Sequence, residues 1–123
     1  MEIKQKILDS IKWAQENLGF TLISEDWGDT TKMCTCAMGC VLLKNNPQDM
    51  VIIESKGENV AEAAEILGVN EKWVSSFIDG FDGNGTANSS ENPGAFALGE
   101  QVAKETNPIS HGEFLDSLKE DND

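Results

Sequence analysis

The run Val60-Ala61-Glu62-Ala63-Ala64-Glu65-Ile66-Leu67-Gly68-Val69-Asn70-Glu71-Lys72-Trp73-Val74-Ser75-Ser76-Phe77 reads as two helices joined by a turn at Gly68. With this pair at its centre the chain reads as all-α, with five or six short helices around one core. Upstream, Asn45-Asn46-Pro47 closes a helix running from about Thr35 to Asn45. Gly39 inside that helix costs about 1 kcal/mol relative to alanine, a sign that another element approaches closely there. Met50-Val51-Ile52-Ile53 suits a helix or a strand, and Phe20-Thr21-Leu22-Ile23 has strand character. These two stretches leave room for a minor pair of short strands near 20–23 and 50–54. Ser24 to Lys32 reads as loop, with Trp27 folding back on the core because an indole carries a large apolar area. At the start, Ile3, Ile7, Ile11, Ala14 and Leu18 recur at steps of three or four, and Gly19 supplies a left-handed stop.

Downstream, Gly80 to Gly94 is rich in glycine, asparagine and serine, so 80–92 is expected to be a flexible loop. It fails the calcium-loop test, since counting from Asp82 puts Ala87 where glycine is required and Pro93 where glutamate is required. Asn92-Pro93 opens a helix whose buried stripe is Phe96, Gly99, Val102 and Ala103. Asn107-Pro108 reads as a turn between helices. Ser110 with Glu113 forms a capping box, and Ile109 with Phe114 a hydrophobic staple, for a last helix carrying Leu115 and Leu118. The acidic end, 120–123, is expected to fray, because the macrodipole disfavours negative charge there. The 123 residues fit a single domain. Its core is expected at Ile7, Ile11, Leu18, Val41, Leu42, Leu67, Val74, Phe77, Phe96, Val102 and Leu118.

The stretch 60–77 resembles a helix-turn-helix. That pattern places a small residue four before the turn glycine, and Ala64 stands four before Gly68. It places apolar residues directly after the glycine and six after it, as Val69 and Val74 are. The resemblance implies a steep helix crossing and, in repressors, a second helix that enters the major groove. Here that helix would present Asn70, Glu71, Lys72, Trp73, Ser75 and Ser76, while Glu58, Glu62 and Glu65 on the first helix would meet phosphate. Affinity for a duplex comes mainly from lysine and arginine releasing counterions, so a nucleic-acid partner is disfavoured.

Charge points the same way. Twenty-two acids against nine bases leave −13, and every base is lysine. Residues 58–123 hold fourteen of the acids and three lysines. Solubility is the first explanation of this excess, and the sharper one is a basic partner, or mimicry of nucleic acid toward a nucleic-acid-binding protein. Any electrostatic partner should face the C-terminal half, at Glu62, Glu65, Glu71, Trp73, Asp79, Phe81 and Asp82. Trp27 is a further aromatic candidate. No apolar run approaches the roughly 20 residues a membrane span needs.

Met33-Cys34-Thr35-Cys36-Ala37-Met38-Gly39-Cys40 gathers five sulfurs in eight residues. Thiolates are soft ligands for zinc or Cu(I), so Cys34, Cys36 and Cys40, with His111 as fourth ligand, are the candidate metal set. Against this, the chain lacks the second cysteine pair of structural zinc sites, and packed cysteines behave as small hydrophobes. Local, odd-numbered cysteines behind a charged N-terminus suggest a reducing, cytoplasmic setting. No convergent set of reactive groups marks an enzyme. The first expectation is therefore a small acidic, non-enzymatic binding protein acting on another protein. Soft-metal binding ranks second and helix-turn-helix DNA binding third.

Overall fold

The repeat of Ile3, Ile7, Ile11 and Ala14 does place one apolar face inward. In the computed structural model, which describes residues 2–29, 32–47 and 56–120, helix α1 spans Ile3–Trp13. Its last turn, Ala14–Leu18, widens to π-helix before Gly19, at φ 69°, ends it. Ile7, Ile11 and Ala14 are buried, and they face α2, Ala37–Asn45. Every residue from Ala37 to Leu43 is buried, so α2 is the central helix, apolar all round. Gly39 is needed there because a Cβ would run into Thr35 Oγ1. Something does approach it closely.

Helix α3, Lys56–Leu67, turns at Gly68 (φ 72°) into α4, Glu71–Asp82. Asn70 caps α4, its side-chain oxygen accepting the Trp73 N–H at 2.8 Å. Helix α5, Pro93–Thr106, starts on Asn92, whose side chain accepts the Ala95 N–H at 3.0 Å. The broadest helix contact joins α4 and α5. It closes through two glycines. A Cβ on Gly80 would meet the Phe96 carbonyl, and one on Gly99 would meet the Phe77 carbonyl.

A small sheet sits beside the helices. Its strands are β1 (Thr21–Ser24), β2 (Gly28–Asp29), β3 (Cys34–Thr35) and β4 (Ile109–Ser110), in the order β2-β3-β1-β4. β1 pairs in parallel with β3 and with β4, and β2 runs antiparallel to β3. Helix α6, His111–Glu120, follows β4 directly. Ser110 Oγ accepts the Glu113 N–H at 3.2 Å, the forward half of the expected box. Phe114, Ile23 and Cys34 form a second small core with Ile109, Leu115 and Leu118 against it.

The fold is thus predominantly helical with a minor strand element. β1 lies where strand character was read, while the 50–54 partner falls outside the described residues. Three corrections concern segments read as irregular or helical. Gly28–Asp29, inside the expected 24–32 loop, and Thr35, at the expected helix start, are in strands. So are the two residues after Pro108. The expected loop 80–92 begins late, because Gly80 to Asp82 complete α4, and Ala87–Ser89 form a 3-10 turn. Of the expected core, Leu18 and Leu118 are half-buried and the other nine residues are buried. No helix among the described residues is long and apolar enough to cross a membrane.

Candidate functional site

On α4, residues spaced by three and four turn one face away from α5: Ser75, Ile78, Asp79 and Asp82. That face borders a cleft of about 290 Å³. Its other walls are Glu25, Asp26 and Trp27 from the turn after β1, Cys36 ahead of α2, Val60 of α3, and Asn84. The register of the sheet positions the turn. Ser24 pairs with Ser110, so the chain leaving β1 and the chain entering α6 emerge at the same end. Asp26 Oδ2 accordingly lies 3.1 Å from His111 Nδ1.

The turn is held from three directions. Glu25 adopts φ 73°, the left-handed region that residues with a Cβ avoid. Its N–H donates to Asp82 Oδ1 at 2.8 Å, tying the turn to the end of α4. Asp26 Oδ1 accepts the Trp27 N–H at 2.8 Å, and the Trp27 carbonyl accepts the Cys36 N–H at 2.8 Å. Trp27 is 5% exposed and packs into the main core, as expected for an indole.

Four carboxylates therefore crowd one recess: Glu25, Asp26, Asp79 and Asp82. Burial pushes the Asp82 carboxyl up from its ordinary 3.8 to about 6, against the pull of the Glu25 N–H. The charges of Asp79, Glu25 and Asp26 push it the same way as burial. Among the described residues no lysine lines this cleft. A second recess, about 260 Å³ between α1, α2 and α3, has the opposite lining, with Lys6 and Lys44. There the Lys6 ammonium already donates to the Ile66 carbonyl at 2.8 Å.

The sequence-derived candidates separate on this structure. Asp79 and Asp82 line the cleft; Glu62, Glu65 and Glu71 are not among its walls. Glu65 and Glu71 are exposed and Glu62 half-buried. Phe81, offered as a contact, is a correction: it is 4% exposed, stacked 6.2 Å from Phe77 in the core. Trp73 is half-buried and stacks on Phe77 at 5.7 Å. Ser76 is also a correction to the expected outer face, since its buried Oγ accepts the Asn92 N–H at 3.1 Å. What α4 leaves exposed ahead of its last turn is Glu71, Lys72, Ser75 and Asp79, two acids against one base.

The proposed metal ligands are not gathered. Among the described residues no three His, Cys, Asp or Glu side chains are placed to hold a metal ion. Cys34 packs with Ile23 and Phe114, whereas Cys36 and Cys40 belong to the main core. His111 sits on Asp26 instead. Cys36 precedes α2, where N–H groups favour a thiolate, yet burial dominates and pushes its thiol from 9.0 up to about 12. Burial raises Cys40 as well. Neither is an activated nucleophile at neutral pH.

Sequence reasoning missed Glu25, Asp26, Val60, Ile78 and the placement of Cys36. The one local signal was an acidic pair directly before a tryptophan. Compared with protein-family models, curated proteins and solved structures, the chain matches none.

Proposed function

We propose that this is a non-enzymatic binding protein that docks on a basic protein and takes one of its lysine or arginine side chains into the acidic cleft. The supporting observation is the convergence of Glu25, Asp26, Asp79 and Asp82 on a recess that also has apolar walls, Trp27, Val60 and Ile78. Long cationic side chains suit such a mixture, since the alkyl stem lies on apolar surface while the charged head meets carboxylate. An incoming cation would also favour the ionised form of Asp82, whose carboxyl burial first, and the neighbouring carboxylates second, push up to about 6.

The net charge of −13 gives the encounter a long-range component. Glu62, Glu65 and Glu71 contribute to steering without touching the bound side chain, as rim charges do. Three buried thiols suit a reducing compartment, and we place the protein in the cytoplasm on that ground.

Calorimetric titration with a lysine-rich peptide tests the reading. The Asp79→Asn/Asp82→Asn pair should weaken binding about tenfold or more, as loss of close charge partners does. Glu62→Gln/Glu65→Gln removes as much charge elsewhere and should cost much less. Equal losses in the two variants would reduce the cleft to a share of the general field.

A further inference from the structure

Lys6 is half-buried on α1, Lys44 stands in the last turn of α2, and both border the recess of about 260 Å³ beside Ile66 of α3. The chain has 22 acids for its nine lysines, yet among the described residues neither of these ammonium groups is paired with a carboxylate. Lys4, by contrast, is paired with Glu105 at 2.9 Å. Among the described residues no acid lines the recess either. Five of its six walls belong to residues 1–57, which hold eight of the acids and six of the lysines, far closer to balance than the C-terminal half. We propose that this recess binds the carboxylate of a small organic monoanion with a short alkyl chain, held between Lys6 and Lys44.

The head of Lys6 is held in place. Its Nζ donates to the Ile66 carbonyl at 2.8 Å, which leaves two N–H groups to donate elsewhere. A half-buried charge answered only by a carbonyl dipole is incompletely compensated, and an anion completes it. Lys44 is exposed and supplies the second charge, with the Asn45 amide beside it as a neutral donor. Ser10 closes the recess without donating to the anion, because its buried hydroxyl already donates to the Lys6 carbonyl at 2.8 Å. Val41 and Ile66 give an alkyl chain an apolar wall.

Two features select the class of anion. Helices α2 and α3 both bring their C-terminal ends to the recess, so the backbone there presents carbonyls. Phosphate favours the opposite arrangement, the N–H groups of a helix N-terminus, and a dianion would be repelled by these two ends. A single carboxylate charge suffers less from them and still meets two ammonium groups. The volume lies below the roughly 300 Å³ at which pockets for drug-sized ligands begin, so a carboxylate of about six carbons suits it and a nucleotide does not. The recess and the acidic cleft share no wall residue, so either can take its ligand without the other.

Nuclear magnetic resonance titration of the whole protein at low ionic strength, with sodium hexanoate, acetate and inorganic phosphate in turn, tests the site. Hexanoate should saturate, with amide shifts gathered at residues 6–10, 41–45 and 66–67. It should bind about tenfold more tightly than acetate, through burial of its alkyl chain, and more tightly than phosphate. A net charge of −13 gives anions no general attraction, so saturable binding has to be local. Lys44→Gln changes an exposed residue and leaves the Lys6–Ile66 contact in place. It should weaken hexanoate about tenfold, as loss of one charge-assisted contact does. Lys72→Gln removes the same charge from an exposed position on α4 and should leave the affinity unchanged. Shifts that do not saturate, equal losses in the two variants, or acetate or phosphate binding as tightly as hexanoate would overturn the site.

Discussion

Replacing Asp82 by asparagine removes one of four crowded negative charges and leaves an oxygen for the Glu25 amide. Asp82 holds its proton more tightly folded than unfolded, at about 6 against an ordinary 3.8. The stability this group contributes is present in full below about pH 4 and is lost as pH rises through 6. At pH 7.5 Asp82→Asn should therefore stabilise the protein. Allowing for solvent screening of a half-exposed group, the gain is about 1 kcal/mol, or roughly 4 °C in Tm by thermal melts. At pH 4 the two proteins should melt together. Two glycines supply a sharper contrast at the same scale. Gly99→Ala pushes a methyl group into the Phe77 carbonyl and should cost about 2–3 kcal/mol in urea unfolding. Gly112, with open space around its Cβ position and a place in α6, should tolerate alanine with a gain of roughly 0.5 kcal/mol.

Helices that carry their own punctuation were legible from the chain. Asn92 and Ser110 open α5 and α6 as their spacing implied, whereas Asn70, read only as an exposed residue of the second helix, turns out to cap α4. Asn70→Ala should cost about 1 kcal/mol and loosen the first turn of α4, measurable by unfolding and by exchange of the Trp73 amide. The end of α4 was misplaced because glycine and aspartate at 80–83 look like loop. In the fold Gly80 is helical for a tertiary reason: the Phe96 backbone lies against it. The sheet was beyond local reading for a different cause. Strands of two residues show no alternation, and β1 draws its partners from positions 34–35 and 109–110. The cleft shares that difficulty. Asp79 and Asp82 were singled out for charge, but the Glu25 amide that Asp82 accepts is 57 residues away in sequence. Phe81 was misjudged because its register on α4 turns it toward the core together with Val74 and Phe77.

For the whole molecule, charge and shape make separate contributions. A field from −13 acts over a Debye length and should vanish with salt, whereas the cleft acts only on a cation that fits it. Association rates with a basic peptide should consequently fall steeply with ionic strength, while the difference between Asp79→Asn/Asp82→Asn and the unmodified protein should persist in dissociation rates. Stopped-flow kinetics at low and high salt separates the two. The most direct measurement is a residue-resolved nuclear magnetic resonance titration with a lysine-rich peptide at pH 7.5. Amide shifts should concentrate at residues 24–27 and 75–84, together with the Trp27 indole. Shifts spread over the exposed acids of α3 and the outer face of α5, with 24–27 silent, would contradict a cleft built to receive a cation.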